Sequence, residues 1–190
     1  MKTLLRVAAL TALVCAISVG CASASTIYVA TLSGANEVPS NGSSATGSAT
    51  LTLTGDSLAV DISFSGLSAA ASAGHIHCCT PPGSNVGVAV PFTAFPNVTS
   101  SGADYTNTFD LTQTATYSSS FLTANGGTAA GAEAALIAGL NAGQAYVNIH
   151  DANFPGGEIR GFDQAAVPEP GTLSMGAAAL LGLAFLKRRR

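Results

Sequence analysis

The stretch that decides the fold is "TGSATLTLTGDSLAVDISFSG", residues 46–66. Apolar and polar side chains alternate through both halves, with Leu51 and Leu53 in the first and Leu58, Val60, Ile62 and Phe64 in the second. Period two is the signature of a strand with one buried face. Gly55-Asp56 between the halves predicts a tight hairpin turn. Working outward, "TIYVATLS" (26–33) repeats the alternation, and "GHIHC" (74–78) is a shorter run that Pro81-Pro82 must end, since proline cannot donate to a ladder. "VGVAVPF" (86–92), "DYTNTFDLT" (104–112), "AYVNIH" (145–150) and "GEIRGF" (157–162) read as further strands, the last two joined by the turn-forming "DANFPG". Only "GTAAGAEAALIAGLNAGQ" (127–144) changes period: Ala134, Ala135, Leu136 and Ala138 favour helix and Gly143 is a stop. The expected fold is mainly β, an antiparallel, Greek-key-like β-sandwich with one inserted short α-helix.

Both ends of the chain differ from this domain. Residues 1–24 carry Lys2 and Arg6, then an apolar run, then Ala22-Ser23-Ala24, which is the layout of a secretory signal helix cleaved before Ser25. A lipoprotein signal would make Cys21 the first mature residue instead, but Ser18 stands where a bulky aliphatic is wanted. Residues 167–190 begin with Val167-Pro168-Glu169-Pro170, continue through an apolar stretch and end in Lys187-Arg188-Arg189-Arg190. That stretch spans about 22 Å as a helix, short for a ~30 Å hydrocarbon core, and the basic cluster would stay on the cytoplasmic side. The reading is a short single-span transmembrane helix that anchors the chain. The domain between is 25–166.

Charge narrows the partners. Nine of the ten acidic residues lie in 25–166, whereas Arg160 is the only one of the seven basic residues found there. Phosphate backbones are bound by Lys and Arg, so a nucleic-acid partner is excluded. There is no nucleophile elbow, Walker loop or paired-carboxylate pattern, and the expectation is a protein that is not an enzyme.

Three segments together resemble a known family. "LSGANEVP" (32–39), "GHIH" (74–77) and "AYVNIHDANFPGGEIRG" (145–161) are similar to the CHRD domain, first described in chordin and common in bacterial secreted proteins. The resemblance covers nearly all of 26–162 and implies an extracellular β-rich domain in a family without a settled enzymatic activity. Cys78-Cys79 and the alanine-rich helix fall outside its general pattern. Residues 167–190 resemble the PEP-CTERM sorting signal, with Pro168, Glu169 and Pro170 as the motif. The N-terminal signal implies signal peptidase as a processing partner, while the PEP-CTERM resemblance implies an exosortase, a transient span of the inner membrane and delivery to the cell surface or exopolysaccharide matrix. Extracellular polysaccharide or surface proteins would be the partners there.

All three histidines fall in the CHRD-like segments. Residues two apart on a strand share a face, so His75 and His77 point the same way, and Cys79 joins them if the strand runs on. His150 shares a face with Asn148, and Glu158 with Arg160. If the two histidine-bearing strands are neighbours, three imidazoles suffice for zinc or copper with an open position, and copper would allow redox activity. The bland alternative is a polar network in which Asn148, Asp151, Glu158 and Arg160 satisfy the histidines and hold the sheet together. Arg160, alone in an acidic domain, is expected to pair with Glu158 or Asp151. For Cys78 and Cys79 four readings stay open: a vicinal disulfide, intermolecular bridges, free buried thiols, and Cys79 as a fourth metal ligand.

Overall fold

The hairpin at 46–66 forms as its pattern requires. Strand β2 (Thr46–Thr54) pairs with β3 (Ser57–Ser65) in continuous antiparallel register from Thr46↔Ser65 to Thr54↔Ser57, leaving Gly55-Asp56 as the turn. Ala49 and Leu51 of β2 and Leu58, Val60, Ile62 and Phe64 of β3 face the core and are buried, while the serines and threonines between them face outward. The computed structural model describes residues 25–98 and 102–166; the signal helix and the sorting tail lie outside them. Among the described residues no helix is long and apolar enough to cross a membrane.

The other strands are β1 (Thr26–Ser33), β4 (Ala71–Cys78), β5 (Val88–Pro91), β6 (Ala103–Asp110), β7 (Ala145–Asp151), β8 (Ile159–Phe162) and β9 (Gln164–Ala165). Their order in space is β5-β4-β7-β8-β1-β2-β3-β6, with β9 also on β1, and every pairing is antiparallel. Where two packed sheets are expected, backbone hydrogen bonds join all the strands into one. This sheet curls until its flanks meet. Phe92, just past β5, lies 5.1 Å from the Tyr105 ring and 6.0 Å from the Phe109 ring of β6, and the Tyr105 hydroxyl donates to the Thr93 carbonyl at 3.2 Å. The enclosed space is a single apolar core containing Leu32, Leu51, Ile62, Ile76, Val90 and Ile149.

Among the described residues two α-helices stand where one is expected. Helix α1 (Ser119–Ala124) starts at Ser118, whose hydroxyl accepts from Phe121 N, and α2 (Ala129–Asn141) starts at Thr128, whose hydroxyl accepts from Gly131 N. Such caps satisfy amides that a helix start leaves orphaned. Ala132, Leu136 and Leu140, spaced four apart, bury one stripe of α2. The helix closes with Gln144 N donating to Gly139 O and Gly143 N to Leu140 O, after which β7 begins. The short α1 was hidden because its six residues are too few for a period to show.

Candidate metal centre

Pairing of β4 with β7 decides the site. Their register sets Ala73 opposite His150, His75 opposite Asn148 and His77 opposite Tyr146, so one face carries all three histidines. The other face of the same strands is core, with Ile76, Val147 and Ile149 fully buried. Every residue of β7 is buried, because two loops fold over its outer face. One is the "GANEVP" segment, tied down by Asn36, whose side chain donates to the carbonyls of Thr31 and Arg160, and by the neighbouring Asn41, which donates to Gly157 and Glu158 carbonyls. The other follows Pro81-Pro82, and its Asn85 donates to Val38 O. Gly157 must be glycine here: its φ is +126°, and a Cβ would fall 2.5 Å from the Asn148 amide and 2.8 Å from Glu37 Oε1.

The imidazoles converge. His75 Nδ1 and His150 Nε2 are 3.1 Å apart, and one ligand atom from each of His75, His77 and His150 lies within 4.8 Å of the others. The ring nitrogens turned away are anchored to main chain, His77 Nδ1 on Val86 O at 2.7 Å and His150 Nδ1 on Pro155 O at 3.1 Å. A carbonyl only accepts, so both nitrogens must carry the proton, which leaves lone pairs on His77 Nε2 and His150 Nε2. His77 Nε2 is buried with no partner. Burial lowers the His75 and His77 pKa values to about 4, helped for His75 by the neighbouring imidazoles, and burial also lowers that of His150. Three neutral imidazoles facing one point, two of them with the far nitrogen fixed by a carbonyl, make a donor set of the kind that late transition-metal ions accept.

Cys79 does not join them. Strand β4 ends at Cys78, so alternation no longer carries the next residue to the histidine face; Cys79 Sγ instead contacts Ala135 O and the two cysteine Sγ atoms contact each other. Both sulfurs sit over Gly139 of α2, where a Cβ would overlap them. The expected polar network is two networks. Asp151 accepts from Ser68 Oγ at 2.9 Å, Ala69 N at 2.7 Å and Phe154 N at 2.7 Å, and Glu158 accepts from Ser43 Oγ at 2.6 Å and from Ser68 N. Burial and the neighbouring Asp151 push Glu158 up, whereas for Asp151 the bonds it accepts outweigh burial and hold it down. Arg160 pairs with neither. Its guanidinium donates to Asn36 O at 2.6 Å and Asn85 Oδ1 at 2.7 Å, lies 3.9 Å from Glu37, and covers the Tyr146 ring at 4.8 Å. The reason is the covering loop: it brings Glu37 to Arg160, while Asp151 and Glu158 are taken by the β3–β4 connection. Asn148 makes no hydrogen bond to a histidine, and its Oδ1 is unpartnered.

Sequence reasoning missed Glu37, Tyr146 and Asp163. Glu37 is pushed up to about 7 by burial, against the pull of Arg160. Tyr146 stacks on His77 with ring centres 4.8 Å apart and planes 2° from parallel. Asp163 is fully buried with both carboxyl oxygens unpartnered, and burial raises its pKa well above the usual range. Only Glu37 had a signal, its place in the "ANEVP" segment.

The CHRD domain profile matches residues 28–162, which is most of the chain and contains every residue just described except Asp163. The chain belongs to the CHRD family. Its site is thus assembled from the three segments that mark the CHRD domain: the first supplies Glu37, the second His75 and His77, the third His150 and Arg160. The PEP-CTERM protein-sorting motif matches residues 166–190, and it implies processing by an exosortase, export and transient membrane anchoring during sorting. No curated protein and no solved structure matches this CHRD protein.

Proposed function

We propose that this CHRD domain is a metal-binding module of a non-enzymatic, exported surface protein, holding copper or zinc through His75, His77 and His150. The observation that carries this reading is the approach of three imidazole nitrogens to within 4.8 Å of one another, two of the rings held by Val86 and Pro155 carbonyls. The sorting motif supports residence at the cell surface or in the exopolysaccharide matrix, where polysaccharide or surface proteins are the neighbours. Elemental analysis of the protein purified from its native compartment tests the module. One equivalent of metal, lost in a His75→Ala/His77→Ala double variant, is expected; a folded, metal-free wild type refutes it. Deleting residues 167–190 should change the final location, and an unchanged location refutes the sorting step.

A vicinal disulfide between Cys78 and Cys79 belongs to the same reading, supported by the contact of the two sulfurs and by the usual fate of cysteine pairs in exported proteins. Thiol titration under denaturing, non-reducing conditions should find no free thiol in a monomeric band.

A further inference from the structure

We infer that the three-histidine site selects the cuprous ion over divalent zinc and copper, because neither its donor set nor the groups hydrogen-bonded behind its rings include a carboxylate or thiolate. This rests on the metal-binding reading above and concerns which ion the site takes. Among the described residues the cluster contains His75, His77 and His150 and neither a carboxylate nor a thiolate. The groups behind it are neutral as well, since Val86 and Pro155 present carbonyls where a carboxylate often stands behind a metal-binding histidine. The carboxylates of the adjoining loops are occupied. Glu37 faces Arg160, Asp151 accepts from Ser68, Ala69 and Phe154, and Glu158 accepts from Ser43 and Ser68. The nearest full charge across the ring stack is positive: Tyr146 has His77 stacked on it and the Arg160 guanidinium over it.

A divalent ion would therefore find no anionic ligand to offset its charge in a half-buried setting. Electrostatic desolvation grows with the square of the charge, so a monovalent ion meets about a quarter of that penalty. The cuprous ion accepts imidazole and, with a filled d shell, imposes no ligand-field geometry. Three ligands around an ion with bonds of about 2.0 Å stand about 3.5 Å apart, close to the 3.1 Å already separating His75 Nδ1 from His150 Nε2. His77 and His150 are buried and His75 is half-buried, so solvent reaches the cluster on the His75 side.

The test is competition titration of the mature protein with Cu(I), held by ascorbate without oxygen, and separately with Zn(II) and Cu(II). One equivalent of Cu(I) should bind at least a hundredfold more tightly than either divalent ion. His75→Asp, which adds a carboxylate to the donor set, should shift the ratio at least tenfold toward Zn(II), with His150→Asp as the second variant if the first does not fold. Cu(I) binding should persist in a Cys78→Ala/Cys79→Ala variant. Equal or tighter Zn(II) or Cu(II) binding overturns the selectivity and leaves the metal module standing. So does an unchanged ratio in a folded Asp variant. Loss of Cu(I) in the cysteine variant overturns the assignment to the histidines, and a folded protein that binds none of the three ions overturns both.

Discussion

Replacing Arg160 by methionine should destabilise the domain more as the pH rises. Methionine keeps the apolar stem of this 1 % exposed side chain but removes its charge and its donors to Asn36 O and Asn85 Oδ1. Hydrogen bonds from a charged donor contribute about 1.5–3 kcal/mol each, and breaking a buried ion pair costs about 3–5 kcal/mol. These overlap, so a total near 4 kcal/mol at pH 8.5 is the working figure. Glu37 sets the pH dependence. Its pKa in the wild type is about 7, raised by burial and pulled back by Arg160. At pH 5.5 it carries a proton, there is no ion pair to lose, and the penalty shrinks to the lost hydrogen bonds. Without Arg160 its pKa rises further. A carboxyl whose folded pKa is raised gives stability that is lost as pH climbs through that pKa, so the variant loses more than the wild type between pH 6 and 8.5. The difference is about 1.4 kcal/mol for each unit by which Arg160 had lowered Glu37. Urea unfolding of wild type, Arg160→Met, Glu37→Gln and the double variant at pH 5.5, 7 and 8.5 measures it, with the cycle isolating the pair. A penalty that is flat with pH, or a coupling energy near zero at pH 8.5, refutes the reasoning.

The histidines act in the opposite direction. Their lowered pKa values mean that stability present above pH 6.5 is lost as pH falls toward about 4. Urea midpoints of metal-free protein at pH 7 and 4.5 should drop clearly for wild type and less for His77→Gln. Gly157→Ala should cost about 2–4 kcal/mol, from its positive φ and the clash with Asn148 and Glu37, while Gly156→Ala, with open space around it, should stay within about 0.5 kcal/mol by the same assay. Leu136→Ala on the buried stripe of α2 should cost about 2–5 kcal/mol as a core cavity, read from the thermal midpoint.

How much of this was legible follows from which forces act locally. The strands at 26–33 and 46–66 were readable because one face is buried, and burial writes its period into the sequence, whereas α2 was readable from the helix propensity of its alanines and from its Gly143 stop. The joining of all strands into one sheet was not, because the same alternation serves a curled sheet and two packed ones. Convergence of His75 and His77 with His150 needed only that β4 and β7 be neighbours, a single long-range fact that the register supplies. Charge pairing was misread for a different reason. Glu158 and Arg160 are two apart in sequence, yet Arg160 is met by Glu37, more than a hundred residues away in the chain.

That last contact explains why the CHRD segments belong together. Arg160 lies under the loop that carries Glu37, against Tyr146, and Tyr146 in turn supports the His77 ring. Asn85, which accepts from Arg160, is next to Val86, whose carbonyl orients His77. A change at Arg160 therefore reaches the histidines by two short routes, one through the stacked ring and one through the Asn85–Val86 main chain. Neither route passes through Asp151 or Glu158, so removing that carboxyl pair should loosen the β3–β4 connection while leaving the imidazole geometry in place. Metal affinity that falls in Arg160→Met but survives Glu158→Gln would match this wiring; equal losses would mean that the two networks act as one.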